Sequence, residues 1–488
     1  MEDGGGSCSG IQTVCSAGPR TPNPDLKKLL VFKVYKRRWF VLLLVCLLNC
    51  SNATIWLTFA PVADQSAQYL SVTLEEINWL SLVYMVVAIP LSFGTTWMLD
   101  TFGLRITLIL GSWLNMFGAL VRFCGTPPGQ SYSMQYAVVM LGQTLGALAQ
   151  PLIIFTPTKL AALWFPDHQR ATANMIASMS NPLGILLANI ISPFVAKTSA
   201  QIPTLLVAYA VPTCIICFLA TVGIRSSAPP MPPSASAESS GSEPFVQGLK
   251  LLLKNKAYLV LLLCFARSGV AVFTCFSTLL EQILCVQGYA NDFAGLCGAL
   301  FIVFGVVGAG ALGLYVDKTK KFIEATKINM SFSALACIAF SVVSLVPHQK
   351  AAVAAVCSLL GLFGFAIFPV VMELSVECSV SCRRGHVGRT RLHIGVLLQQ
   401  VQSVLYIILL QALTKPLADS PLSTCGDDIL SWRVPMMVLA GLCTLFTCTF
   451  VIFFDTPYRR LEAEERAMYG TKQSNGSAPA EQASSEEA

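Results

Sequence analysis

The chain has 488 residues, 54% of them hydrophobic and only 12% charged, with a formal net charge of +6. A soluble domain carries about 25% charged residues, so this chain has too few charges to solvate a soluble surface. Its small positive excess does not mark a nucleic-acid binder, and an integral membrane protein is expected.

Residues 1–38 are rich in Gly, Ser and Pro and contain no apolar core of a cleavable signal peptide. They read as a cytoplasmic N-terminal segment carrying Arg20, Lys27, Lys28, Lys33, Lys36, Arg37 and Arg38. Within it Asp25-Leu26-Lys27-Lys28-Leu29-Leu30 fits a short acidic dileucine sorting pattern. Tyr458-Arg459-Arg460-Leu461, near the other end, fits a Tyr-x-x-apolar pattern. Both are short enough to arise by chance.

A span needs about 20 mostly apolar residues to cross the hydrocarbon core. Such stretches occur at about 39–61, 77–98, 106–124, 134–156, 171–195 and 202–224, an N-terminal six-helix half over 39–224. A polar, Pro- and Ser-rich linker over 225–256 follows. The second half, 257–454, holds stretches at about 257–283, 293–315, 327–347, 351–373, 394–414 and 433–454. The Glu-, Ala- and Ser-rich tail over 455–488 is expected to be disordered and cytoplasmic. The expected fold class is an all-α membrane protein with twelve transmembrane helices in two six-helix halves, the plan of many secondary transporters.

Orientation follows from Lys and Arg. With both termini in the cytoplasm, most of the 32 basic residues fall on that side. Arg122, Lys197, Lys350, Lys415 and Arg433 fall outside, and Arg267 lies inside the seventh stretch. The first outer loop carries Asp64, Glu75 and Glu76 with no Lys or Arg. The sequons at Asn49 and Asn52 lie within the first span and Asn475 is cytoplasmic, so none of the three is expected to be glycosylated.

A loop motif recurs in the two halves, once from Gly94 through Asp100 and Gly103 to Arg105, and once through Gly313 and Asp317 to Lys321. Both copies fall in cytoplasmic loops. Glycine lets helices approach closely, and an Asp at a helix boundary can meet a helix N-terminus or an Arg of another loop. Gly94, Asp100, Gly103, Arg105, Gly313 and Asp317 are therefore read as gating or structural residues, the plainer alternative being polar loop anchors. This paired motif is where the chain resembles the major facilitator superfamily.

Arg267 lies about 15 Å into its span at ~1.5 Å per residue, near the midplane, where a charge is a functional candidate. It could face an anionic group, pair with Glu373 or Glu377, or snorkel to the cytoplasmic side. Gln143 and Gln150, seven residues apart, share one helix face, either towards a cavity or as interhelical hydrogen-bond partners. No Asp or Glu stands in the middle of spans 1, 4, 5 or 8, which favours facilitated transport over proton symport. The 18 cysteines form no regular framework and mostly lie in apolar runs. Cys124, Cys285 and Cys425 could face outside and allow one disulfide.

Further strings narrow the resemblance. Asn78-Trp79-Leu80-Ser81-Leu82-Val83-Tyr84-Met85, Thr96-Trp97-Met98-Leu99-Asp100, Met140 through Gln143 to Ala149-Gln150, and Ser277-Thr278-Leu279-Leu280 resemble solute carrier family 49, the feline leukemia virus subgroup C receptor-related transporters. The likeness spans roughly residues 30 to 460. It implies that choline-transporting members use a first-span Trp, a fourth-span Gln, a seventh-span aromatic residue and an eleventh-span Gln. These positions fall on Trp56, Gln150, Thr274 with Phe273 beside it, and Gln400 with Gln399 and Gln402 as rivals. A Trp face attracts a quaternary ammonium, and amide oxygens can face a cation or accept from a hydroxyl. Substrate-binding candidates are thus Trp56, Gln143, Gln150, Phe273, Thr274 and Gln400.

Two departures stand out. The seventh-span aromatic is a Thr here, so Phe273 or Phe276 would have to complete an aromatic cage. The stretch from Val380 to His393, with Arg383, Arg384, Arg389 and Arg391, is longer and more basic than the family's loop, as a native feature or as a splice or gene-model variant.

The favoured function is a facilitator moving a small organic solute (an amine, a choline-like cation or a vitamin) by alternating access. The partners expected are that solute and the bilayer, with no cofactor, no metal and no nucleic acid, and the carrier is expected to act as a monomer in the plasma membrane or an endosomal or lysosomal membrane. Haem is an alternative cargo suggested by other relatives, although all four His lie in loops. A non-transporting receptor or nutrient sensor on a carrier fold is a second alternative. No HExxH, GxSxG or P-loop pattern points to an enzyme.

Overall fold

A computed structural model describes residues 34–126, 132–231, 233, 271–319, 321–367, 370–371, 374, 387–416 and 430–455. Apolar stretches that must satisfy their own backbone hydrogen bonds in hydrocarbon become helices. Those of the first half are α1 (Arg37–Trp56), α2 (Leu74–Thr101), α3 (Gly103–Cys124), α4 (Tyr132–Ile154), α5 (Asp167–Val195) and α6 (Ile202–Gly223). Those of the second are α7 (Ala271–Cys285), α8 (Asn291–Thr319), α9 (Phe322–Val343), α10 (Lys350–Leu360), α11 (Val387–Ala412) and α12 (Arg433–Phe453). Nine described helices are long and apolar enough to cross a membrane. Three shorter apolar helices, Phe276–Cys285, Lys350–Phe365 and Gln400–Ala412, stand in the remaining expected stretches.

Local sequence sets several boundaries. Thr73 caps α2 reciprocally with Glu76, its hydroxyl accepting from the Glu76 N–H while the Glu76 carboxylate accepts from the Thr73 N–H. Gly103 adopts φ +79 between α2 and α3, the left-handed region glycine favours. A π-turn over Gly361–Phe365 ends α10, and at Gly361 a Cβ would strike the Phe301 carbonyl of α8.

Within the first half, α3 packs along α4, α1 along α5 and α2 along α4; within the second, α9 meets α12 and α8 meets α10. The halves join where α5 packs on α8 and α2 on α11. One apolar core crosses this seam, carrying Trp56, Leu82 and Ile185 on one side and Phe276, Ile283 and Leu410 on the other. Large apolar side chains elsewhere point outward, including Phe218 on α6, Val307 on α8 and Ile452 on α12, as expected of a surface that faces lipid. Two ends of the bundle can be told apart. The linker face holds the start of α1 and Ile224–Ser227, where Arg37 donates to the Gly223 carbonyl at 2.8 Å. The distal face holds Asp64, Tyr289 and the small β-bridge of Lys415–Pro416 with Leu430–Ser431.

Two expectations change. Arg122, assigned to an outer loop, is buried inside α3. The apolar run before it continues into a helix whose last turn faces other helices rather than water. Gly94 and Gly313 do not mediate close packing here: a Cβ on either would meet nothing within 4 Å. Close approach is instead made at Gly118, Gly142 and Gly146 between α3 and α4, and at Gly184, which lies against the Cys50 carbonyl of α1. Cys214 and Cys217, spaced as a CxxC pair inside α6, are both free. Of the outward cysteines, Cys124 is free, Cys285 is disulfide-bonded, and Cys425 lies outside the described residues.

Two predictions follow from this packing. A Cβ on Gly118 would sit 2.7 Å from the Gly142 carbonyl and 2.8 Å from the Gly146 nitrogen, both backbone atoms. Gly118→Val should therefore cost about 1–3 kcal/mol, read as a fall of several degrees in Tm of the purified protein; an unchanged Tm would refute the α3–α4 contact. Alkylation of the unreduced protein followed by peptide mapping should label Cys124 and leave Cys285 unlabelled.

Candidate functional site

The first span is not one continuous helix. α1 ends at Trp56, a short 3-10 turn covers Ala60–Val62, and a second helix covers Ala63–Leu70. The break exposes the carbonyl end of α1, which carries partial negative charge. Arg122 fills that need. Its Nη1 donates to the Ile55 carbonyl at 3.0 Å, to Thr58 Oγ1 at 3.1 Å and to Gln143 Oε1 at 3.0 Å. Its guanidinium carbon stands 5.7 Å from the Phe59 ring centroid. Among the described residues no carboxylate pairs with Arg122, and a helix end, an amide and a ring face its charge.

Gln143 completes the brace. Its Nε2 donates to the Leu80 carbonyl at 3.1 Å and lies 3.5 Å from the Trp56 carbonyl. Trp56 in turn donates from Nε1 to the Ser81 carbonyl at 3.3 Å. The indole is thus tied to α2, and its own backbone, through Gln143 and Arg122, to α4 and α3. Below it, Asn52 donates to Asn115 Oδ1 at 2.9 Å and to the Gly146 carbonyl at 3.1 Å, and Asn115 donates to Ser51 Oγ at 3.2 Å. Both Asn49 and Asn52 are buried in helix, as the reading of their sequons requires.

The other site candidates fall into separate places. Gln150 is 7% exposed, and its Oε1 is buried without a hydrogen-bond partner. An unsatisfied buried amide oxygen costs about 1–3 kcal/mol, so it stands ready to receive a donor or a cation. Thr274 is buried on α7 and its hydroxyl accepts from Ser403 Oγ of α11 at 3.2 Å. Phe273 packs on Phe301 and Phe365 with centroids 5.6 and 5.4 Å apart, and Phe276 packs on Phe301 and Phe340. Gln400 is half-buried on α11. Arg267, Glu373 and Glu377 lie outside the described residues.

The loop motif makes different contacts from those expected. Asp100 forms an ion pair with Lys159 at 2.9 Å. Lys159 belongs to the short helix Thr156–Trp164 that follows α4. The N–H of Arg105 donates to Ser227 Oγ at 3.1 Å, and Trp164 Nε1 donates to the Ser227 carbonyl at 3.1 Å. The start of the linker is thereby stitched to the first motif. Asp317 lies within α8, with nothing to report of its side chain.

A third group lay unnoticed in the sequence. At the distal face Asn78 of α2 and Gln282 of α7 form a reciprocal amide pair across the two halves, at 3.1 and 2.7 Å, both buried. Beside it Asn291 of α8 donates to Asp64 Oδ1 at 2.5 Å. Asn189 of α5 packs into the space left by Gly298 of α8, and Pro193 against Gly295. At the linker face, by contrast, Gly94 on α2 and Gly310 and Gly313 on α8 have open space around them. Among the described residues, the side-chain hydrogen bonds named here that join the two halves lie at the distal end. The signal available in the sequence was the run of polar residues Glu281-Gln282 near the end of an apolar stretch.

Two packed halves, a broken first span and a seam closed at one end define a carrier, and comparison with known proteins agrees. The profile of the Major Facilitator Superfamily matches residues 39–388. The xylose transporter of E. coli in an inward-open conformation shares the fold with a TM-score of 0.63 at 12% identity, over 86% of this chain and 97% of that one. The chain is 54% identical to solute carrier family 49 member A3 of Danio rerio over 92% of its own length and 94% of the relative's. It is 29% identical to the choline/ethanolamine transporter FLVCR1 of Felis catus, over 74% of this chain and 65% of that one. This protein is a membrane transporter of the major facilitator superfamily and not an enzyme. Within that superfamily it belongs to solute carrier family 49.

The brace yields a double-mutant prediction. Gln143→Leu leaves the buried guanidinium without its side-chain carbonyl and should cost about 3–5 kcal/mol. Arg122→Met should cost less than a bare charge deletion implies, because it also removes a desolvated ion. In the pair Arg122→Met with Gln143→Leu the losses should fall short of their sum by about 0.5–3 kcal/mol. Additive losses in Tm or in denaturant midpoint would show the two residues to be energetically independent.

Proposed function

We propose that the cargo is a small organic cation or amine of the choline and ethanolamine class, with a vitamin-sized solute as the neighbouring case. It crosses by alternating access without an obligatory coupling ion. The observation that carries this reading is Trp56: a large indole at the break of the first span, hydrogen-bonded to α2 while its backbone carbonyl faces Gln143 of α4, on the seam between the halves. A fixed indole face contributes about 0.5–2 kcal/mol to a bound ammonium, and pre-fixing it avoids part of the ordering cost of binding. The unpaired Gln150 oxygen is the second contact, suited to the hydroxyl or amine of such a solute. Thr274 with Phe273, and Gln400 on α11, are the contacts expected from the second half. Gln143 serves this site indirectly, since both ends of its amide are occupied by Arg122 and backbone carbonyls. The relatives named as choline/ethanolamine transporters support the same class of cargo.

The linker face is the cytoplasmic face in this reading. Arg37, Arg38, Arg105, Lys159, Arg170, Lys318 and Lys321 gather there, whereas Lys197, Lys350, Lys415 and Arg433 stand at the other end, as the positive-inside rule requires. The structure is then inward-open, both termini are cytoplasmic, and twelve crossings are complete. The carrier acts as a monomer, in the plasma membrane or an endosomal or lysosomal membrane. Gly94, Asp100, Gly103, Arg105, Gly313 and Asp317 govern the cytoplasmic ends of α2 and α8 as the halves rock.

Uptake of labelled choline, ethanolamine and pyridoxine into proteoliposomes tests the proposal. One of them should enter with saturable kinetics. Trp56→Ala should reduce uptake at least tenfold, and Trp56→Phe should keep a measurable part of it. Saturable uptake unaffected by Trp56→Ala would remove the indole from the site, and folded protein that moves none of the three would exclude this cargo class.

A further inference from the structure

The distal lock contains a feature that neither helix packing nor solute binding explains. Glu281 of α7 is 2% exposed, and neither carboxyl oxygen has a hydrogen-bond partner. The one titratable group that acts on it is the carboxyl of Asp64, from the other half. Asp64 is itself buried and accepts three N–H donors: the Gln65 backbone at 2.7 Å, Gln65 Nε2 at 3.2 Å and Asn291 Nδ2 at 2.5 Å. Two acids thus stand at the point where the halves touch, with no cation between them among the described residues.

Among the described residues of the surrounding elements, none is a counter-charge to this pair. Glu75 and Glu76 begin α2, and Glu76 is held by Thr73. Asp292 begins α8, is exposed and accepts from the Phe293 N–H. Tyr289 donates to the Val346 carbonyl and accepts from the Gln349 N–H. Arg122 is committed to the end of α1. None of these acts on Glu281. Two neighbouring carboxyls in a desolvated seam disfavour a second negative charge. Asp64, with three donors, is the member built to hold the negative charge. Glu281, with none, is the member built to hold a proton.

We propose that the Asp64–Glu281 pair is a proton-binding site of the outer gate, filled from the outer solution as the distal face closes and emptied to the same side as it opens. The proposal rests on the alternating-access reading above and adds to it a control by pH. In the closed gate Glu281 carries its proton towards Asp64. When the halves part, both carboxyls reach water, Glu281 returns its proton to the outer solution, and the two carboxylates repel each other. The proton does not cross the membrane, so the device sets which face is open rather than driving uphill transport. Closing binds a proton that the open form has released, so acid on the outer side favours closure by up to about tenfold per pH unit. The inward-open state is then held by an acidic exterior or an acidic organelle lumen.

Hydrogen exchange read by mass spectrometry on the full chain in nanodiscs tests this without any cargo. Peptides covering 60–79 and 277–289 report on the distal lock, and exchange times are scaled for the intrinsic effect of pH. In the wild type these peptides should be more protected at pH 5.5 than at pH 7.5. Glu281→Gln, a neutral side chain of the same shape, should be protected equally at both. Asp64→Asn should weaken the pH response without abolishing it, because burial alone still disfavours an ionised Glu281, and it serves where Glu281→Gln fails to fold. A pH response left undiminished by these substitutions, or no response in the wild type, overturns the proposal. So does protection that follows sodium at constant pH, which would make the pair a metal-cation site. Because the readout needs no solute, failure of the cargo assignment leaves this result interpretable.

Discussion

Everything in the first half is arranged around one buried cation. Arg122 has no carboxylate to neutralise it and sits among helices, where an isolated charge is expensive. It is tolerated because the first span breaks next to it. The carbonyl end of α1, the Thr58 hydroxyl, the Gln143 amide and the Phe59 ring together supply the negative potential that a single acid would otherwise give. The dependence is mutual. Without the guanidinium, the carbonyl end of α1 would lose its main donor from outside the helix, and the break would have no reason to stand where it does. Trp56 is the last residue before that break, so the cation fixes the position of the indole without touching it.

The two faces of the bundle differ for reasons that can be traced to side chains. Distally, short amides and small residues let the halves meet: Asn78 with Gln282, Asn291 with Asp64, and Asn189 in the space over Gly298. These are neutral or singly charged hydrogen bonds, each worth on the order of 1 kcal/mol net, and therefore easy to break and remake. On the linker side Asp100 pairs with Lys159, and the Arg105 N–H donates to Ser227 Oγ at the start of the linker. They brace the first half. A carrier needs this division, with rigid halves and a weak seam.

Hydropathy alone made the helices legible, because a segment with no water around its backbone has few alternatives to helix. The membrane class, the helical fold and the burial of Asn49 and Asn52 were accordingly visible in the sequence. The break in the first span was not, since Asn49 through Thr58 reads as part of one apolar run and the partner that stabilises the break comes from α3. Arg122 was misassigned because a charge at the end of an apolar run looks like a loop residue. Gln143 and Gln150 were correctly placed on one face, yet spacing could not show that one amide is consumed by Arg122 and the other is left unpaired. The motif glycines were legible as a repeat, but their open surroundings depend on which face of the carrier is apart. Glu281 escaped notice because its meaning comes from Asp64, far away in the chain.

The central claim is that a solute binds against the indole at the break of the first span. A cryo-EM map of the purified full chain in nanodiscs, recorded with and without saturating choline or ethanolamine, tests it most directly. The account predicts added density on the face of Trp56 and within hydrogen-bond reach of Gln150, with the Arg122–Gln143 brace unchanged. Density elsewhere along the seam with the indole uncovered, or a map in which Trp56 leaves its Ser81 contact to pack as ordinary core, would contradict it.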